Sequence, residues 1–435
     1  MRWLIGAVAL LIVAITLQLG LFAYAMYVLL GVIVASRVLV NTWSGNLTAV
    51  REMSRDRIKI GDATAIVIVV ENRHWLPIPW MLVEDLLPRR ALIHMPPNLQ
   101  VTGRRLQLVS FRGRVRRTIT YQLKANCRGY YQLGPLVAET GDVFGLYRRY
   151  RVLSEPSFLL VVPEVIPLEG FDIASRRPIG EVRMSHRLYE DPTRIAGVRA
   201  YQAGDSLNRV HWRATARTGQ LQCKVYEPST VAGATLLIDL HEQSFAPEDE
   251  PLRSELLITA AASVAGAIFQ MGQQVGLVTN GRDAADRIRA EGWSHEQLYS
   301  RRVAQAAGMR EKSDRLRPVI VPTRRSNTQL TDILRTLARV EKTDGFTFSQ
   351  LVAEAASQLP QSASVIAMLT RVTPATAVAL SNLRRRGMAV TAILNVFEDH
   401  EFAEMSAPLL SEQIETRHLK DRAAIPRVCM NYVLR

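Results

Sequence analysis

Hydrophobic and polar positions divide this chain into three stretches with different periods. From Trp3 to Ser36 no residue is charged, a run longer than the roughly 20 apolar residues that carry a helix across a hydrocarbon core. Gln18, Leu19 and Gly20 form the polar, helix-breaking cluster inside it, so the run predicts two minimal spans turning there, a transmembrane helical hairpin over residues 1–45. One tilted span is the alternative. A cleaved signal peptide fits less well, because a second apolar stretch follows at once where a small-residue cleavage site would be expected.

The second stretch changes to period two. Ala65–Glu71 is a β-branched run bounded by Gly61-Asp62 and Asn72, and Thr118–Ala125 alternates with Ile119, Tyr121, Leu123 and Ala125 on one face. Both are strand signals. Prolines 77, 79, 88, 96 and 97 interrupt the text between them, and residues 53–163 hold no sustained helical period. An all-β sandwich over 46–165 is expected.

Beyond Ala232 the pattern becomes strand-sized apolar runs alternating with helical stripes. Thr235–Leu240 reads as a buried strand and Ser254–Gln270 as a helix. Gln274–Thr279 reads as a strand, Thr331–Lys342 and Phe348–Gln358 as helices. Ser364–Thr370, Ala375–Arg386 and Ala389–Val396 continue as strand, helix and strand. That order predicts a doubly wound α/β domain over 231–435, with residues 166–230 joining it to the sandwich.

Charge adds orientation. Lys plus Arg exceed Asp plus Glu by 54 to 40 in 435 residues, and much of the surplus lies between Asn41 and Glu155, directly after the apolar run. Arg2 precedes the hairpin, while Arg37, Arg51, Arg55, Arg57 and Lys59 follow it. The positive-inside rule then places the tip outside and the remaining chain in the cytoplasm. Arg112, Arg114, Arg116 and Arg117 form a dense basic cluster that reads either as a solvated strand face or as a contact for anionic lipid headgroups. Nucleic acid is not expected, since no phosphate-cradling loop or finger motif accompanies the charge. Cys127, Cys223 and Cys429 are scattered, as are the histidines, so neither a disulfide framework nor a metal site is expected, and no cofactor.

Candidate chemistry concentrates in Arg199–Glu227. Gly204 and Asp205 supply a turn, Asn208–Trp212 and Leu221–Val225 read as extended pieces, and Arg199, Tyr201, Arg209, His211, Arg213, Arg217 and Lys224 accompany them. One reading is structural, with Trp212 packed in a core and Asp205 bonding turn amides or pairing with an arginine. A second makes the arginines a surface for an acidic partner. A third takes Asp205, Ser206 and His211 as hydrolase residues, although the chain holds no GxSxG elbow.

This block, with Arg128–Leu146 (RGYYQLGPLVAETGDVFGL), resembles the bacterial family called domain of unknown function 58; Val143 stands where the family pattern usually has Pro. The resemblance implies a membrane hairpin, a β-sandwich and a C-terminal domain similar to von Willebrand factor A. It also implies partnership with a MoxR-type AAA+ ATPase. Domains of that type hold Mg²⁺ through Asp-x-Ser-x-Ser, a compact oxygen cage. The corresponding text runs Asp239, His241, Gln243, Ser244, so both hydroxyls are replaced, and Thr370 stands where a later acidic ligand is expected. An imidazole suits Mg²⁺ poorly, and a degenerate, metal-free loop is expected. The expected function is a membrane-anchored, non-catalytic adaptor. The alternatives are a membrane-bound hydrolase of envelope metabolism using Asp205 and His211, and a Mg²⁺-dependent protein-binding module.

Overall fold

The computed structural model describes residues 2–93, 97–170, 190–202, 210–228, 233–284, 316–360 and 364–430. The chain divides into two compact units. The first runs to Glu164 and takes in Leu334–Lys342, and the second begins at Val165.

In the first unit, α1 (Arg2–Thr16) and α2 (Gly20–Gly45) are joined by a tight turn in which Gln18 has φ +55°. The helices pack on each other, with Ala7 and Ala14 buried. α2 is long and apolar enough to cross a membrane, and only 17% of its most apolar window is buried. Leu21, Tyr24 and Val28 stand outward. The described apolar part of α1, Ile5–Thr16, is shorter.

α2 does not end in a linker. Val40 and Trp43 enter the core of the β region, and β1 (Leu47–Met53) follows directly. The strands are β2 (Arg57–Lys59), β3 (Ala63–Asn72), β4 (Ile78–Asp85), β5 (Leu99–Gly103), β6 (Leu106–Phe111), β7 (Arg116–Ala125), β8 (Gly129–Leu133), β9 (Leu136–Gly141), β10 (Arg148–Ser154) and β11 (Ser157–Val162). A short helix, α3 (Arg89–Ile93), interrupts them. Two antiparallel sheets, β1-β3-β7-β5 and β10-β9-β4-β6, share one core, and β2-β11-β8 forms a third. Ile119, Tyr121, Leu123 and Ala125 point inward from β7, as the alternation predicts, opposite Met81 and Val83.

One charge expected to flank the membrane lies in that core. The Arg51 side chain is 1% exposed and ion-paired with the fully buried Asp85, with Nε–H donating to Asp85 Oδ2 at 3.0 Å. Arg51 also donates to the carbonyls of Leu133 and Glu155, and Tyr121 Oη donates to Asp85 at 2.6 Å. Arg51 therefore belongs to the core. The positive flank after α2 rests on Arg37, Arg55, Arg57 and Lys59.

In the second unit, β12 (Glu190–Ala200) pairs antiparallel with β13 (Gln222–Pro228) around α4 (Trp212–Thr218). β14 (Gly233–Ile238), α5 (Leu252–Gln270), β15 (Gln274–Thr279), β17 (Val319–Arg324), α6 (Gln329–Arg339), α7 (Phe348–Ala355), β19 (Ser364–Leu369), α8 (Pro374–Arg385), β20 (Val390–Leu394), α9 (Asp399–Ser411) and β21 (Glu415–His418) follow, while β16 (Arg282–Asp283), β18 (Val340–Glu341) and α6 from Leu334 onward are counted in the first unit. The main sheet has the order β17-β15-β14-β19-β20-β21, parallel throughout except for β17. α5 also has the length and apolarity of a membrane span, but it is 72% buried and makes contacts with β14, β15 and β19, as the core helix of a sheet does. The expected helix Thr331–Lys342 stops at Arg339, where Val340 and Glu341 pair as β18 with β16.

Candidate functional site

Sequential strands leave β14 in opposite directions, to β15 on one side and to β19 on the other. This makes the carboxyl ends of β14 and β19 the switch point where open parallel sheets bind ligands. A crevice of about 390 Å³ lies at these carboxyl ends, lined by Gln243, Ser244, Arg253, Thr370, Arg371 and Asn395 among others. The sequence-predicted loop thus reaches a concave surface.

Asp239 itself is turned to other work. Its Oδ1 accepts the His241 N–H at 3.1 Å and Asn280 Nδ2–H at 2.7 Å, and its Oδ2 accepts the Ser244 hydroxyl at 2.6 Å. Asn280 also takes the Leu240 N–H and donates to the Phe346 carbonyl. His241 is buried, and its Nδ1 accepts the Gln243 N–H at 3.2 Å. These residues do not fit Mg²⁺. Seating a hard cation there would require displacing donors from the single carboxylate, with a buried imidazole beside it. Among the described residues no three His, Cys, Asp or Glu side chains gather as a metal site.

The crevice's distinctive group is Arg253, which the hydrophobic pattern passes over because it stands one residue before the predicted helix. It is 2% exposed. Its guanidinium carbon lies 3.0 Å from the Phe397 ring centroid, and Nη1–H donates to Asn395 Oδ1 at 2.9 Å. Asn395 Nδ2–H returns a bond to the Arg253 carbonyl at 2.9 Å. Burial pushes the guanidinium down to about 10, against the pull of Asp249 and Glu401. It therefore stays charged at neutral pH, a buried cation beside the Ser244 and Thr370 hydroxyls. Asn280 and Asn395 also escape sequence reading. Each is one polar residue just after an apolar strand.

The joining block is rearranged relative to expectation. Gly204, Asp205, Ser206 and Arg209 lie outside the described residues. Val210 forms a bridge with Cys223 and is buried, but Trp212 opens α4 and is 68% exposed, so it does not pack in a core. The extended reading of Asn208–Trp212 fails at its end because His211 caps the helix, its Nδ1 accepting the Ala214 N–H at 3.1 Å. Trp212, Arg213, Ala216 and Arg217 are all exposed on α4. Arg199 faces Cys223 in the β12–β13 ladder, next to the Val198–Lys224 pair, and the Tyr201 N–H bonds the Leu221 carbonyl.

The basic cluster falls elsewhere, on the β-sandwich. Arg112 and Arg114 occupy the β6–β7 turn, and Arg116 and Arg117 open β7. All four are exposed, and Arg116 lies 3.3 Å from Glu71.

Taken together, the molecule combines an apolar N-terminal helix, antiparallel β sheets and a parallel α/β sheet with a crevice at its switch point. Residues 197–317, which begin in β12, match the family model described as Protein of unknown function DUF58, so this stretch is similar to that family. It is 24% identical over 317 residues to the uncharacterized protein YeaD of Bacillus subtilis (strain 168), covering 70% of this chain and 76% of that one. Among solved structures, proximal thread matrix protein 1 from the mussel byssus aligns with TM-score 0.28 and 10% identity over 46% of each chain. A CARDB domain from Pyrococcus furiosus aligns with TM-score 0.20 and 14% identity, over 27% of this chain and 94% of that one. Structural likenesses this distant carry no functional argument.

Proposed function

We propose that the protein is a membrane-anchored, non-catalytic adaptor. Its α1–α2 hairpin spans the inner membrane twice, and its soluble units lie in the cytoplasm. Its parallel sheet, with strand order and single antiparallel strand as described, is read as a von Willebrand factor A-like domain working without metal. The observation that supports this best is the switch-point crevice, where a buried cation and two hydroxyls are arranged for recognition while Asp239 is committed to holding its own loop. The exposed Trp212, Arg213 and Arg217 of α4 offer a second contact for an acidic protein surface. The partner proposed is an AAA+ ATPase of the MoxR type.

Affinity capture of the detergent-solubilised full chain, with and without ATP, tests this. An AAA+ ATPase identified by mass spectrometry is expected in one of the two conditions and lost in the Arg371→Glu variant. Recovery of no ATPase in either condition would overturn the partner, and hydrolase activity lost in Asp205→Ala with folding unchanged would overturn the non-catalytic reading.

A further inference from the structure

Three loops close the end of the sandwich from which α2 emerges. The register fixes this. Leu47 pairs with Asn72, Glu71 with Arg116, Ile78 with Phe111 and Gly141 with Arg148, so the 73–77, 112–115 and 142–147 connections share one end. Asn72 Nδ2 bonds both the Leu76 and Gly113 carbonyls, and the Arg73 N–H bonds the carbonyl of Asn46 at the foot of α2.

The 142–147 loop rises along the helix. Its flanking strands β9 and β10 pack on α2, where Arg151 donates to the Ser44 and Gly45 carbonyls; Asp142 accepts the N–H groups of Phe144 and Tyr147, and Ser36 is among the groups that lower its carboxyl. Ser36 lies nine residues before Gly45, about 14 Å up the helix at 1.5 Å per residue. It is also the last residue of the uncharged run, with Arg37 following. Asp142 thereby holds the next two side chains, Val143 and Phe144, at the level where α2 changes from apolar to charged. These are 75% and 69% exposed, and Trp75 on the neighbouring loop is 68% exposed. Side chains of this kind are costly to leave in water and are favoured at a membrane interface.

We infer that this end of the sandwich docks on the bilayer that α2 enters. Val143 and Phe144 insert among the lipids, Trp75 lies at headgroup level, and Arg112, Arg114 and Arg117 bind anionic headgroups. The inference rests on the reading of α2 as a membrane span. Charge and continuity with the span both favour lipid as the occupant over a second protein.

The test uses the full chain in nanodiscs of phosphatidylcholine and phosphatidylglycerol, with Cys127→Ser to leave only buried cysteines. Nitroxides are placed singly at Val143→Cys, at Val28→Cys on α2 and at Lys124→Cys toward the other end of β7. Collisions with oxygen, which partitions into lipid, are compared with collisions with a water-soluble nickel chelate. Oxygen is expected to dominate at 28 and 143, and nickel at 124. Position 143 behaving like 124 while 28 stays oxygen-dominated overturns the docking and leaves the anchor intact. Position 28 behaving like 124 overturns the anchor and the docking together. Arg112→Gln with Arg114→Gln, or omission of phosphatidylglycerol, is expected to shift position 143 toward nickel; an unchanged ratio overturns the headgroup contact.

Discussion

Asp85 sits in the core of the sandwich with no exposed side-chain surface, and its charge is tolerated because Arg51 and Tyr121 both point at it. Burial, then the Asp85 charge, raises the Tyr121 hydroxyl far above its ordinary range, so it acts as a fixed donor. The same cluster explains the Gly134 of the sandwich motif. Its φ is +90°, and a Cβ there would collide with the Arg51 guanidinium. Removing one member of a buried pair leaves an uncompensated charge, so Arg51→Met is expected to destabilise the chain by about 3–5 kcal/mol. Chemical denaturation of the detergent-solubilised variant, followed by near-UV circular dichroism, checks this, and a change under about 1 kcal/mol would contradict it. Nothing in the local sequence around Arg51 foretells that role. Its partners lie 34 to 106 positions away, and a residue read as membrane-flanking charge proves to be core.

At the scale of elements, the apolar text is reliable where a run is buried on both faces. Gln274–Thr279 and Ser364–Leu369 are strands almost to the residue, because β-branched runs have few other ways to bury themselves. Reading fails where a polar contact decides. His211 caps α4 and exposes Trp212, and β18 ends α6 through pairing with a distant strand. In the second unit, α9 and β21 carry too mixed a pattern to be seen, with Pro408 inside the helix.

The link between α2 and the 142–147 loop is likewise a matter of one side chain. Burial alone would raise the Asp142 carboxyl, but the Tyr147 and Leu146 N–H groups, Ser36 and Phe144 outweigh it and hold it below the usual carboxylate range. A depressed carboxylate contributes stability that is complete above its unfolded value and lost as pH falls through the folded one. Amide exchange at Phe144 and Tyr147, corrected for intrinsic pH dependence, is expected to stay slow above about pH 4 and to accelerate below it. Asp142→Asn is expected to exchange fast already at pH 6. Equal protection in the two proteins at pH 6 would refute the latch.

For the whole molecule, the proposed hairpin decides which compartment the soluble units face. Reporter domains inserted at Gln18 and fused at the C-terminus are expected to report external and cytosolic locations respectively, and the reverse pattern would refute the topology. What the sequence could not convey is that anchor and sandwich are one body. α2 passes from the uncharged run into the sandwich core without a flexible joint, as Val40 and Trp43 pack among the strands. The helix is therefore an axle: each residue turns it by about 100°, so a single residue inserted between Arg37 and Val40 would swing the sandwich by that angle about the axis of α2. The face it turns relative to the apolar half of α2 is set by helical phase, which ties the spacing of those few positions to the direction in which the sandwich looks.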